Sequence, residues 1–140
     1  MPEAKDNSPA SFLIVEDNKN IRKLYSTLIM LKYSGVATAF AENGHEGLEA
    51  CKSSDPSLII ADIKMPVMDG IEFHRQLKKS SPRLAGRVAF ISATFSDLHL
   101  DYINDNNCRY LIKPFETDAF NELIDSMLMS RGEKAGNIPD

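Results

Sequence analysis

The sequence predicts an α/β domain: a doubly wound parallel sheet of five strands with five helices. Two observations carry this. Short apolar, β-branched runs alternate along the chain with segments whose apolar residues recur at the helical period. Two of the runs, residues 58–61 and 88–91, are apolar without alternation, as strands covered on both faces are.

"SFLIV" (11–15) is the first strand. Asn18 caps a helix whose Ile21, Leu24, Tyr25, Leu28 and Leu31 share one face, and Gly35 ends it. "VATAF" (36–40) is the second strand, followed by a short helix over 45–52. "SLIIA" (57–61) is the third strand; a helix over 70–79 follows through Ile71, Phe73 and Leu77, and Ser80, Ser81 and Pro82 break it. "RVAFIS" (87–92) is the fourth strand, 97–104 a less regular helix, and "CRYLI" (108–112) the fifth strand. Thr117 caps the last helix, where Phe120, Leu123, Ile124, Met127 and Leu128 form one continuous face. Residues 1–10 read as a flexible leader, 11–130 as the domain and 131–140 as a polar tail.

Composition narrows the function classes. The 140 residues are 43% hydrophobic and 26% charged, enough for one domain with a real core. Lys and Arg are scattered in a chain of net charge −4, so no basic stripe predicts nucleic-acid binding and no polybasic cluster a membrane surface. No segment has the length of a membrane span or the apolar core of a signal peptide. Cys51 and Cys108 lack CxxC spacing and are read as reduced thiols of a cytoplasmic protein.

In an open parallel sheet all strands end on the same side, and ligands bind beyond those ends. Glu16 and Asp17 follow the first strand, Asp62 the third, Ser92 closes the fourth, and Lys113 and Pro114 follow the fifth. Three crowded carboxylates repel one another, and a divalent cation is the simplest compensation. Oxygen donors without paired His or Cys favour Mg²⁺. Lys113 adds a positive charge that a metal set does not need, placed to hold an anion, and Ser92 offers a hydrogen bond to the same anion. Acid, cation, lysine and hydroxyl together are the parts for moving a phosphoryl group onto a carboxylate. Glu16 and Asp17 suit a metal pair, which leaves Asp62, alone before the loop "IKMPVMDG", as the acceptor.

These segments resemble the response-regulator receiver domain of two-component signalling, of the single-domain chemotaxis type. "FLIVEDN", "LIIADIKMPVMDG", "AFISA" and "YLIKPF" carry the likeness, in order and at the right strand ends, within a match from Phe12 to about Ser130. The resemblance implies a flavodoxin-like sheet of order 2-1-3-4-5. It implies phosphorylation of Asp62 by a partner's phosphohistidine, from a histidine kinase or a histidine phosphotransfer protein, and a signalling role rather than that of an enzyme. It makes Glu16, Asp17, Asp62 and the Lys64 carbonyl Mg²⁺ ligands, Lys113 the phosphate-binding lysine with a cis bond to Pro114, and Ser92 and Tyr110 the switch pair. Helix 1, with Asn20, Ile21 and Leu24, becomes the phosphodonor surface, and the fourth helix, fifth strand and fifth helix the face that changes. Glu16 stands where Asp is commoner and Ser92 where Thr is; "NDNNC" before Tyr110 replaces the usual Gly-Ala, with an Asn able to take the left-handed turn.

Other readings compete. A haloacid-type phosphatase carries a second Asp two residues after its nucleophile, where this chain has Lys64. A flavin or nucleotide carrier needs a Ser/Thr/Gly-rich loop after the first strand, where "EDNKN" repels phosphate. A degenerate receiver acting only as a docking module, or a receiver excised from a larger regulator or hybrid kinase, are the remaining alternatives. His45, His74 and His99 are not spaced as ligands and are read as surface or packing residues.

Overall fold

The computed structural model describes residues 10–135, with side chains to residue 129; residues 1–9 of the leader and 136–140 of the tail lie outside it. The strands are β1 (Ser11–Val15), β2 (Ala37–Ala41), β3 (Leu58–Ala61), β4 (Val88–Ser92) and β5 (Arg109–Ile112). The helices are α1 (Lys19–Lys32), α2 (Gly44–Ser53), α3 (Gly70–Ser80), α4 (Pro82–Ala85), α5 (Asp97–Asp105) and α6 (Thr117–Ala135). The sheet is parallel, in the order β2-β1-β3-β4-β5 that the resemblance implied.

Alternation along the strands divides the core into two layers. Phe12, Ile14, Leu58, Ile60, Ala89 and Ile91 face Tyr25, Leu28 and Ile29 of α1 and Phe120, Leu123, Ile124 and Met127 of α6. Leu13, Val15, Ile59, Ala61, Val88 and Phe90 face the other way, toward Phe73 and Leu77 of α3, Leu84 of α4 and Ile103 of α5. The α1–α6 layer is also tied by polar contacts: Lys32 Nζ donates to Asp125 Oδ2 at 2.7 Å, and the Tyr33 hydroxyl donates to Asp125 Oδ1. On the other layer, α5 buries Ile103 alone.

Six helices stand among the described residues where five were expected. Pro82 ends α3 as anticipated, but at the first position of α4, where its missing N–H costs nothing, it also starts a turn of helix. Asn18 caps α1 as expected, accepting from the Ile21 amide at 3.0 Å. Asn107 takes the left-handed turn before β5, with φ 56°, as the Asn-rich segment allowed. Helix α6 begins at Thr117 itself and continues to Ala135, into the segment read as tail.

Candidate phosphoacceptor site

Register brings the strand ends level. Val15 pairs with both Ala41 and Ala61, and Ser92 with Ile112. The next residues are held by backbone bonds that prolong the ladder: Glu16 N to Ala41 O (2.9 Å), Asp62 N to Val15 O (3.1 Å) and Lys113 N to Ser92 O (2.9 Å). Glu16, Asp62 and Lys113 are therefore fixed at one edge by the sheet. The Lys113–Pro114 bond is cis.

At that edge Lys113 Nζ stands 3.2 Å from Glu16 Oε1 and 3.3 Å from Asp62 Oδ2, one ammonium shared by two acids. Glu16 is 2% exposed and Asp62 9%. The other Glu16 oxygen accepts from the Asn18 amide (3.1 Å), and Asp62 Oδ1 from the Ile63 amide (2.6 Å). Burial and then the Asp62 charge push the Glu16 carboxyl up to about 7, against the Asn18 amide and Lys113, which favour its anion. With the exposed Asp17 added, the three carboxylates each offer an oxygen within 4.8 Å of the others. Opposite oxygens on one Mg²⁺ lie about 4.2 Å apart. The all-oxygen donor set, its small span and its excess of negative charge over the single lysine fit that ion.

Ser92 is 2% exposed at the end of β4. Tyr110 lies on edge strand β5 and faces out, 40% exposed, its ring 5.0 Å from that of Phe95. Lys64 is exposed two residues beyond Asp62. The structure thus brings Glu16, Asp17, Asp62 and Lys113 together, and sets Tyr110 apart on the outer edge.

Several supporting residues escaped the sequence reading. Arg22 donates to the Glu16 carbonyl at 2.8 Å, a helix-turn reach that only the fold reveals. Gly70 packs under Asp62; "MDG" marks a turn, and the contact behind it is tertiary. His74 is indeed a packing residue, but a polar one: Nδ1 lies 2.7 Å from the Tyr102 hydroxyl and Nε2 3.1 Å from the Ala85 carbonyl. His99 completes a capping box with Ser96 at the start of α5.

A family profile described as the response regulator receiver domain matches residues 12–125. The polar-differentiation response regulator DivK of Brucella anthropi is 33% identical over 121 residues, covering 86% of this chain and 97% of that protein. The regulatory protein AtoC of Escherichia coli is 27% identical over 124 residues; the match takes in 87% of this chain, which spans only 26% of AtoC. Among solved structures, a CheY-like response regulator receiver domain protein from Methanospirillum hungatei superimposes with a TM-score of 0.81 at 24% identity, covering 92% of this chain and all of that one.

Proposed function

The chain belongs to the response regulator receiver domain family of two-component signalling, and on that premise we propose that Asp62 accepts a phosphoryl group from a partner's phosphohistidine. The observation that carries this is the lysine shared between Glu16 and Asp62: an anion site already charged and waiting beside a carboxylate. Asp62 Oδ1 is engaged by the Ile63 amide, so Oδ2, turned toward Lys113, is the attacking oxygen. It forms the new P–O bond as the P–N bond of the donor breaks, and the electron pair leaves with the donor's imidazole nitrogen.

Glu16, Asp17, Asp62 and the Lys64 carbonyl would hold Mg²⁺, whose charge screens the meeting of two negative reactants. Lys113 leaves the acids for the phosphoryl oxygens, and Ser92 moves inward to donate its hydroxyl to one of them. Tyr110, now outward, follows into the space Ser92 vacates and alters the α5–β5–α6 face that a target reads. The phosphodonor, a histidine kinase or phosphotransfer protein, seats on α1 around Asn20, Ile21 and Leu24. The chain acts as a signalling phosphoacceptor that promotes its own phosphorylation and slow hydrolysis. Free Cys51 and Cys108 suit the cytoplasm, and no helix among the described residues is long and apolar enough to cross a membrane.

The test is incubation with Mg²⁺ and acetyl phosphate followed by intact mass. One labile phosphoryl group should appear, and be lost both in Asp62→Asn and without Mg²⁺. Failure with acetyl phosphate and with a histidine-kinase donor would overturn the reading in favour of a docking module.

A further inference from the structure

The loop between β1 and α1 carries Glu16 and Asp17, and it is fastened by a side chain as well as by the sheet. The Glu16 amide donates to the carbonyl of Ala41, the last residue of β2, at 2.9 Å. β2 goes no further, so the Glu16 carbonyl finds its donor elsewhere: Arg22 Nη1, one turn into α1, at 2.8 Å. Arg22 Nη2 stands 3.7 Å from Glu42 Oε2, just beyond β2. The Arg22 side chain is 17% exposed, and in so poorly solvated a place a hydrogen bond is stronger than at the surface.

These contacts join three loops around the acids. Glu42 lies in the connection from β2 to α2. Gly44, two residues on, donates its amide to the Met68 carbonyl at 3.0 Å, and a Cβ on Gly44 would stand 2.8 Å from that oxygen. Met68 belongs to the loop that leaves Asp62. Arg22 thus ties the loop with Glu16 and Asp17 to a neighbour that is itself held against the loop after Asp62.

Charge alone argues against an arginine here. A cation bonded to the backbone of a Mg²⁺ ligand opposes the ion, and Glu42, 65% exposed, offsets only part of that repulsion. Geometry argues the other way. Mg²⁺ demands near-ideal octahedral distances, so small displacements of a carboxylate weaken its binding.

We propose that Arg22 is a positioning residue of the Mg²⁺ site: by holding the Glu16 carbonyl it fixes where the Glu16 and Asp17 carboxylates stand, and this outweighs the repulsion of its own charge. It rests on the reading of Glu16, Asp17 and Asp62 as Mg²⁺ ligands.

Arg22→Met in the full chain separates the two effects by sign. Losing the charge alone tightens Mg²⁺ binding, and losing the clamp loosens it. Titration with MgCl₂ at constant ionic strength, without phosphodonor and read by backbone amide chemical shifts, should show a Kd raised about fivefold, the scale of one hydrogen bond. Without metal, the Asn18 amide, which donates to Glu16 Oε2, should exchange its hydrogen faster in the variant, and by a larger factor than the Ile60 amide in central β3. Arg22→Gln, shorter and uncharged, carries the same prediction should Arg22→Met not fold. An equal or lower Kd overturns the proposal. So does equal acceleration at Asn18 and Ile60, since the loss would then be one of the whole fold. If the wild-type shifts of residues 16, 17 and 62 do not respond to Mg²⁺, the metal reading falls, and this one with it. A wild-type response with an equal Kd in Arg22→Met removes this one alone.

Discussion

Gly70 lies so close beneath Asp62 that a Cβ on it would stand 2.0 Å from the Asp62 carbonyl oxygen. Its amide donates to the Ile63 carbonyl at 2.8 Å, so the loop that leaves Asp62 is folded back onto the helix that follows. No side chain fits between the two backbones. Gly70→Ala is expected to destabilise the chain by about 2–3 kcal/mol, as overpacking does, and to slow phosphoryl loading by displacing Asp62. Urea unfolding and intact mass after acetyl phosphate measure the two effects. Unchanged stability would show that the loop yields freely.

Val67, in the same loop, has φ 69°, a left-handed conformation that a β-branched residue adopts only under strain. Its side chain is 81% exposed, so replacing it removes little packing. Val67→Asn is expected to stabilise the chain by about 1 kcal/mol, since Asn tolerates this region. The check is a thermal or urea midpoint, which should rise.

Lys113 is the counter-ion of two nearly buried carboxylates. Lys113→Met is therefore expected to cost about 2–3 kcal/mol near pH 8 without Mg²⁺, the lower range for a broken buried pair because the lysine side chain is 17% exposed. Mg²⁺ should restore most of that loss, so the divalent ion should stabilise the variant more than the wild type. Urea titrations of both chains with and without Mg²⁺ decide it, and an equal Mg²⁺ effect would refute the charge-balance argument.

His74 carries the pH prediction. Burial pushes its pKa below the ordinary histidine value; the Ala85 carbonyl opposes this, and the nearby Lys78 and Arg75 add to it. The imidazole also meets Tyr102, Phe90 and the Cys108 sulfur, 3.5 Å from Nε2, none of them an anion that would welcome a proton. Because the folded value is depressed, the unfolded chain takes up the proton first as pH falls. The neutral-state stability is complete above about pH 6.5 and is lost as pH drops toward the lowered value. The unfolding free energy of the wild type should thus fall more between about pH 7.5 and 5.5 than that of His74→Gln. Parallel curves would show that His74 is not the group that titrates.

The parts of the fold that were legible in the sequence are those where burial and local chemistry coincide. β1, β3 and β4 end where apolar runs meet a polar residue, and beyond β1 and β3 that residue belongs to the acid cluster. The second strand was read one residue early, as 36–40 against Ala37–Ala41, because an edge strand with mostly exposed residues has no burial pattern to mark its limits. α4 was invisible because four residues are too few for a period, and Pro82 reads as a stop before it reads as a start. The supporting shell was hidden for another reason. Tyr25 fits an apolar stripe whatever its ring stacks on, and His74 finds its partners 11 and 28 residues away in sequence.

Asp125 grips Lys32 and Tyr33 at once, and so bolts the end of α1 to α6. Beneath that bolt run the stacked rings of Tyr25, Phe115 and Phe120 and the aliphatic rows of the same layer. Across the sheet, α5 is held by Ile103, by Tyr102 against His74 and Arg75, and by Asn106 at its end, which accepts from Lys78. One layer is thus closed around a stacked aromatic core, while α5 brings one fully buried side chain to the other. On the proposed function, a donor that seats on α1 meets the layer closed by that aromatic stack, whereas a target that reads α5 meets a helix anchored by a single fully buried side chain.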